Sequence, residues 1–145
     1  MSDSHSVNDP FDTRYQDVCF YLAQRVPREW TSFAVLTAYN PHGKPVTQVE
    51  NDHASERLRA TLIDRNLAFV RITGSASDDT HEEPGFGLRC DQNEARALAR
   101  QFEQLAYYWV CNDRLFLEAT SESERIDIGS WSTKVRWRSD RSQII

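Results

Sequence analysis

The densest cluster of side chains that could do chemistry is the run His81-Glu82-Glu83. Imidazole nitrogens and carboxylate oxygens bind zinc and calcium ions, and carboxylates also serve as general acids and bases. Three consecutive residues of an extended segment cannot all point at one ion, so we interpret this run as an exposed acidic loop and predict no metal site. The sequence leaves open whether Glu82 or Glu83 pairs with Glu50 or Asp52 for acid–base chemistry.

The common signatures of nucleotide binding and of catalysis are absent from the sequence. Among its five glycines, neither G-x-x-x-x-G-K-[ST] nor G-x-G-x-x-G occurs, and these are motifs whose backbone amides cradle phosphate groups. The serine nucleophile motif G-x-S-x-G is also missing. The thiols of Cys19, Cys90 and Cys111 lie in apolar settings, which is typical of small buried hydrophobic residues. We therefore predict no cofactor and no catalytic residue, and the sequence favours a protein that is not an enzyme.

Composition favours one soluble domain in a reducing compartment. The chain has 145 residues, 39% of them hydrophobic, which suits a single core. Its formal charge of −5 argues against a uniformly basic surface for nucleic acid. No run of about 18 apolar residues occurs, so we expect neither a membrane span nor a secretion signal. Three cysteines leave at least one thiol unpaired, and a cytoplasmic location is expected.

Hydrophobic spacing predicts the elements that position these side chains. In the first half of the chain, Asp12 is a candidate N-cap of a helix that ends before Pro27. A short apolar run predicts a buried strand over residues 32–40. A narrow apolar stripe with Leu58 and Leu62 predicts a second helix over residues 52–65.

The second half of the chain begins with two predicted strands, over residues 67–73 and 86–90, joined by a polar loop. Asp91 caps a strongly amphipathic helix, in which Leu98 and Phe102 lie on the apolar face. The turn-forming pair Asn112-Asp113 predicts a hairpin between two final strands. The predicted helix covers residues 92–106. The two final strands cover residues 107–111 and 114–119, and the turn between them is residues 112–113.

The order of the elements predicts an α+β fold of the ferredoxin-like (split βαβ) class. In this two-layer sandwich both helices cover one face of a mainly antiparallel sheet, and here an N-terminal helix and a C-terminal hairpin strand are added. We divide the chain into a flexible leader, one domain and a charged C-terminal segment, at residues 1–10, 11–120 and 121–145.

Tryptophans alternate with basic residues in the C-terminal segment. One interpretation is an edge strand packed on the domain with its basic groups in water, which is the more common use of such a pattern. The other is an arm that stacks on bases and pairs with phosphates, so nucleic acid stays an open though less favoured partner. The residues that would make these contacts are Trp131, Lys134, Arg136, Trp137 and Arg138.

Four blocks occur in an order and spacing that resemble a known family. They are T-A-Y-N-P at 37–41, Glu50-Asn51 ahead of a helix, E-P-G-F at 83–86 and F-x-Q-x-A at 102–106. This pattern resembles a family of short bacterial proteins known as domain of unknown function 3293, over roughly residues 31–120. The resemblance implies a bacterial origin and no established activity.

The matching polar positions, Asn40, Asn51, Glu83 and Gln104, allow two interpretations. In the structural one, their side chains satisfy backbone groups at turns and helix ends. In the functional one, they surround a cleft for a small polar ligand, with Arg89 as a further contact.

Three hypotheses about function follow. The leading one is a non-enzymatic binding or regulatory domain for a small ligand or a protein, and the sequence leaves open whether it assembles with a protein partner or as a homodimer. The alternative is a small enzyme or ligand sensor with a polar cleft built from Asn51, Glu83 and Gln104. The third is nucleic-acid binding through the basic and aromatic C-terminal segment.

Overall fold

The computed structural model of the chain describes residues 9–121 and 123–139. The predicted leader therefore lies almost entirely outside the described residues. Eight strands and four helices are present in the described part, together with a 3-10 turn at Pro41–Gly43. In chain order they are α1 (Thr13–Gln16), β1 (Val18–Leu22), β2 (Ser32–Thr37), α2 (Gln48–Asp64), β3 (Phe69–Ala76), β4 (Glu82–Leu88), α3 (Gln92–Gln101), β5 (Ala106–Cys111), β6 (Arg114–Ala119), β7 (Arg125–Ser130), α4 (Trp131–Lys134) and β8 (Val135–Trp137).

The long first helix predicted before Pro27 is wrong beyond its first turn. Asp12 does cap a helix, because its carboxylate accepts a hydrogen bond from the backbone N–H of Arg14 at 2.9 Å. The helix ends after four residues, and Val18–Leu22 continues as strand β1, antiparallel to β3. A run of valine, aromatic and leucine side chains suits a strand as well as a helix, and pairing with a distant strand decides between them.

Both long helices begin at side-chain caps. Thr47 and Glu50 form a capping box at the start of α2, where the backbone N–H of Glu50 donates to Thr47 Oγ1 at 3.1 Å. This box places the start of α2 at Gln48, earlier than the predicted residue 52. Asp91 caps α3 as predicted, accepting from the backbone N–H of Glu94 at 2.8 Å.

The predicted ferredoxin-like two-layer sandwich is wrong. The sheet has eight strands in the order β7-β6-β5-β2-β4-β3-β1-β8, and it is mixed because β1 and β8 run parallel. Segments predicted to be a helix or a charged tail supply three of these strands, namely β1, β7 and β8. Strands β7 and β8 are the two edges of the sheet and β1 lies next to β8; all three depend on pairing with their neighbours, which sequence periodicity does not report.

Each face of the sheet carries its own hydrophobic cluster. Helices α2 and α3 cover one face, where Leu58, Leu62 and Leu98 are fully buried and Phe102 nearly so, as predicted. Strand residues of opposite parity point to the other face. There the aromatic rings of Phe20, Phe33 and Trp131 form a second cluster, in which Trp131 lies 4.9 Å from Phe20 and 5.3 Å from Phe33 between ring centroids.

The β5–β6 hairpin turns as its sequence predicts. Asn112 and Asp113 both adopt positive φ, at 47° and 69°, which is the backbone geometry of a two-residue type I′ turn. Across the described residues, the helices are all too short or too polar to cross a membrane.

Candidate functional site

A cavity of about 630 Å³ lies on the sheet face opposite α2 and α3. Its floor includes Phe20, Val35 and Ile72, which belong to the hydrophobic cluster of that face. The segment around α1 forms one wall, and the chain that leaves β2 forms another. The cavity thus opens where several strands of the sheet end.

Three of the polar residues singled out in the sequence line this cavity. Asn40 follows β2, Glu83 lies near the start of β4, and Gln104 lies between α3 and β5. Glu83 was predicted to be in an exposed acidic loop, but that loop is shorter and Glu83 is already a strand residue. Three separate segments of the chain therefore meet at one site.

Asn51 stands behind this wall and positions Asn40. It is buried in the first half of α2, and its Oδ1 accepts the backbone N–H of Asn40 at 2.8 Å. Its Nδ2 donates to Asn40 Oδ1 at 3.0 Å. Asn40 has a φ of 49°, in the left-handed region that asparagine tolerates better than most residues. The pair therefore fixes the loop after β2 in the conformation that turns Asn40 toward Glu83.

Glu83 is the charged centre of the cavity. Its Oε2 accepts hydrogen bonds from Asn40 Nδ2 at 3.3 Å and from His81 Nε2 at 2.9 Å. The Glu83 side chain is 24% exposed, so its charge is partly shielded from water. The hydrogen bond to Glu83 raises the pKa of His81 above its ordinary value, against a smaller lowering by burial. A neutral His81 can donate or accept here, whereas a protonated one only donates.

Gln104 ties the end of α3 to the loop after β2. Its Nε2 donates to the backbone oxygen of Tyr39 at 3.0 Å and to that of Phe102 at 3.2 Å. A further hydrogen bond joins the same two segments, since the backbone N–H of His42 donates to the backbone oxygen of Glu103 at 2.7 Å. Gln104 thus positions the cavity wall while also lining the cavity.

Gly85 allows β2 and β4 to meet closely beside the cavity. A Cβ atom at Gly85 would lie 2.4 Å from the backbone oxygen of Leu36, which real side chains do not tolerate. Gly74 is different, because a Cβ there would meet only the Phe20 ring at 3.9 Å and the Glu83 backbone oxygen at 4.0 Å. Gly85 is therefore required by the fold, and Gly74 leaves open space in the cavity.

Sequence reasoning missed the side chains contributed by the segment around α1 and by β5. Tyr15 and Tyr108 both line the cavity, and the Tyr108 hydroxyl donates to the Tyr15 backbone oxygen. Burial raises the pKa of both hydroxyls, and the negative charge of Glu83 raises it further. The side-chain alternation along β5 could have placed Tyr108 on the face opposite the helices, but no pattern pointed to Tyr15.

Arg89 does not line the cavity. It follows β4 at the end opposite Glu83, and its side chain is exposed. Its backbone N–H donates to the Ala68 oxygen at 3.0 Å. Arg89 lies six positions after Glu83 along extended chain, which corresponds to roughly 20 Å.

The tail residues considered for nucleic acid have separate roles. Trp131 is buried in the second cluster, with only 8% of its surface exposed. Arg138 makes a two-pronged ion pair with Glu82, at 3.0 and 2.7 Å, and lies 3.7 Å over the Tyr21 ring. Trp137 is 58% exposed with the Arg25 guanidinium 6.0 Å from its ring centroid. Arg136 is exposed and Lys134 is half-buried.

In residues 9–121 and 123–139, no group of three His, Cys, Asp or Glu side chains is placed to hold a metal ion. Two groups that lie in contact in the cavity are the Glu83 carboxylate and the His81 imidazole. They can accept and donate hydrogen bonds, attract a positive charge and exchange a proton.

Comparison with known proteins identifies the family. Searches of curated proteins and of solved structures found no match to this chain. A family model described as "Protein of unknown function (DUF3293)" matches residues 36–107. The matched range holds Asn40, Asn51, Glu83 and Gln104, whereas Tyr15 lies outside it. The chain belongs to the DUF3293 family, whose function is unknown.

Proposed function

We propose that this protein is a non-enzymatic domain that binds a small polar ligand in the cavity around Glu83. The observation that carries the proposal is the convergence of Asn40, Glu83 and Gln104, from three segments of the chain, on one cavity of about 630 Å³. Small-molecule sites in proteins commonly have volumes of roughly 300–1,000 Å³, an apolar lining and a few convergent polar groups.

A purely structural role accounts for part of this arrangement. Asn51 Oδ1 accepts the Asn40 backbone N–H, and Gln104 Nε2 donates to the Tyr39 backbone oxygen. These bonds alone explain the presence of both residues without a ligand. Glu83 is different, because both hydrogen bonds to its carboxylate come from side chains and, in residues 9–121 and 123–139, no backbone group donates to that carboxylate. Holding a carboxylate partly out of water costs free energy, which a ligand contact at this position would offset.

The experiment that tests the proposal is a fragment screen monitored through the backbone amide resonances of the ¹⁵N-labelled protein. Hits that shift the amides of Thr37, Gly74 and Glu83 together support a ligand site in the cavity. The blocking variant is Gly74→Leu, whose side chain would project into open space, and Gly74→Ala is its matched control. We expect hits to bind wild type and Gly74→Ala alike and to lose at least about tenfold in affinity in Gly74→Leu. Hits that cluster elsewhere, or bind Gly74→Leu unchanged, would refute the proposal.

A catalytic use of the same cavity is the second candidate, favoured by the 2.9 Å contact between His81 and Glu83. A carboxylate that is hydrogen-bonded to an imidazole orients the ring and shifts its pKa, and both effects suit the imidazole to proton transfer. Incubation of each hit with stoichiometric protein, followed by ¹H NMR, separates the two candidates. Conversion by wild type but not by His81→Asn supports an enzyme, and unchanged ligands support a binding domain.

We also propose that the protein acts in the bacterial cytoplasm. The family pattern favours a bacterial source, and Cys19, Cys90 and Cys111 are all free thiols, which suits a reducing compartment. Fractionation of the source cells tests this location. Recovery of the protein with periplasmic or secreted markers would contradict it.

A further inference from the structure

One oxygen of the Glu83 carboxylate has no hydrogen-bond partner among the described residues. Both hydrogen bonds to this carboxylate, from Asn40 Nδ2 and from His81 Nε2, end on Oε2. No described residue donates to Oε1. An ionised carboxylate has about four acceptor positions, so a partly shielded one with a bare oxygen provides a strong site for a donor.

The charges around the cavity favour a positively charged donor. Asp17, Asp78 and Glu83 line it, against Arg14 and His81. The Arg14 guanidinium is engaged by a further carboxylate, since its Nε donates to Asp12 Oδ1 at 3.0 Å. The negative charge of Glu83 also reaches across the cavity, where it adds to burial in raising the pKa of Tyr15 and Tyr108. Among the described residues that line the cavity, acidic side chains therefore outnumber basic ones, and one of the basic side chains already pairs with Asp12.

The floor below Glu83 is apolar. Phe20, Ile72 and Tyr108 present their side chains there, and the rings of Phe20 and Tyr108 meet edge to face at 5.1 Å. Gly74 adds no side chain beside the Phe20 ring. A flat hydrocarbon or aromatic group fits such a surface and loses its contact with water on binding.

We propose that the cavity selects small organic cations, namely primary amines or amidines attached to an apolar body. The ammonium or amidinium N–H donates to Glu83 Oε1, and the body of the ligand packs on Phe20, Ile72 and Tyr108. This inference rests on the proposed function, because it names the ligand class of the same site. Asn40 and His81 act as positioning residues, because their bonds to Oε2 hold the carboxylate and leave Oε1 for the ligand.

The test compares three probes of nearly equal shape: benzylamine, benzyl alcohol and benzoate. Their affinities for the ¹⁵N-labelled protein are measured at neutral pH from the shifts of the Gly74 and Glu83 amides. We expect benzylamine to bind at least about tenfold more tightly than benzyl alcohol, and benzoate to bind most weakly. In Glu83→Gln the preference for benzylamine disappears, because the charge is lost while the shape is kept. Glu82→Gln is the matched control, since Glu82 pairs with Arg138 and does not line the cavity.

The outcomes separate the ligand class from the site itself. Equal binding of all three probes in the cavity, or a preference for benzoate, overturns the selection of cations and leaves the cavity as a ligand site. The selection of cations by Glu83 is also overturned if the preference for benzylamine persists in Glu83→Gln. The same conclusion follows if Glu82→Gln loses this preference to the same extent as Glu83→Gln. Failure of every probe to shift the cavity amides overturns both the inference and the proposed function for this class of ligand. Amide spectra of both variants confirm that each is folded.

Discussion

The side chains of Asn40 and Asn51 bond each other across the start of α2. Asn51 Oδ1 accepts the Asn40 backbone N–H at 2.8 Å, and Asn51 Nδ2 donates to Asn40 Oδ1 at 3.0 Å. Asn40 in turn donates to Glu83 at 3.3 Å. The buried amide in a helix therefore sets the position of a loop residue, and the loop residue sets the orientation of the carboxylate in the cavity.

Asn51→Ala should destabilise the protein and disorder the cavity wall. The substitution leaves the Asn40 backbone N–H without its partner, which costs about 1–3 kcal/mol in the free energy of unfolding measured with urea. A double-mutant cycle with Asn40→Ala should show that the two changes are not additive, because both remove the bond from Asn51 Nδ2 to Asn40 Oδ1. Additive effects would mean that the pair does not act as a unit.

Gly85→Ala and Gly74→Ala should have opposite effects, although both positions lie on the cavity side of the sheet. The new methyl group at position 85 would overlap the Leu36 backbone oxygen, and the strands must move apart to admit it. We expect a loss of about 2 kcal/mol or more for Gly85→Ala, in the range of overpacking changes. Gly74→Ala should be neutral or stabilising by up to about 1 kcal/mol, because the methyl group fits and the unfolded chain loses freedom. Equal unfolding free energies for the two variants would contradict the close approach of β2 and β4.

Titration of His81 should report its bond to Glu83. The pKa of His81 in the folded chain lies above the ordinary value of 6.5, chiefly because of this hydrogen bond. Protonation of His81 therefore favours the folded state. Its contribution to stability is fully present below the ordinary pKa and is lost as the pH rises through the folded-state pKa.

The measurement is an NMR titration of the His81 ring in wild type and in Glu83→Gln. We expect the pKa of His81 to fall in the variant, and the decline in stability across that pH window to become shallower. A His81 pKa that is unchanged or higher in Glu83→Gln would show that the carboxylate does not hold the imidazole.

The buried Glu118 carboxylate beside α3, with its two arginine partners, should carry more stability than any surface ion pair of the described chain. Glu118 is 1% exposed, and its oxygens accept from Gln92 at 2.7 Å, from Arg125 at 3.1 Å and from Arg96 at 3.3 Å. Glu118→Ala leaves the Arg96 charge shielded from water and without this partner, so we expect a loss of about 3 kcal/mol.

Glu56→Ala is the control for Glu118→Ala. Glu56 makes only an exposed contact with Arg59, at 3.8 Å, and its loss should cost no more than about 0.5 kcal/mol. Chemical denaturation of both variants checks the contrast. Similar losses in the two variants would mean that the Glu118 cluster adds no more than a surface pair.

Sequence patterns were sufficient where one local signal dominates. Asp91 and the apolar stripe of α3 predict its start and its buried face, and Asn112-Asp113 predicts a tight turn. The same is true of the buried positions Leu58 and Leu62 in α2. In each case the signal lies within a few residues, and no distant partner is needed to read it.

The remaining fold depends on contacts that are distant in sequence. Val18–Leu22 fits a helix by spacing and a strand by composition, and its pairing with β3 decides the outcome. The tail strand β8 exists because it pairs with β1, more than 110 residues earlier in the chain. Such pairings carry no local signature, so the ferredoxin-like class could not be corrected from periodicity.

The sequence predicts some residues of the site but not how they are arranged in space. Asn40, Glu83 and Gln104 could be named from the family pattern, but sequence does not tell which of the candidates meet in space. Arg89 was included with them and lies at the other end of β4. No pattern singles out Tyr15, because the spacing of its segment predicts a long helix.

The most direct test of the account is a crystal structure of the protein grown with saturating benzylamine. The account predicts ligand density in the cavity, with the ammonium about 3 Å from Glu83 Oε1 and the ring on Phe20 and Tyr108. Ligand density only outside the cavity, or an empty cavity in these crystals, would contradict it.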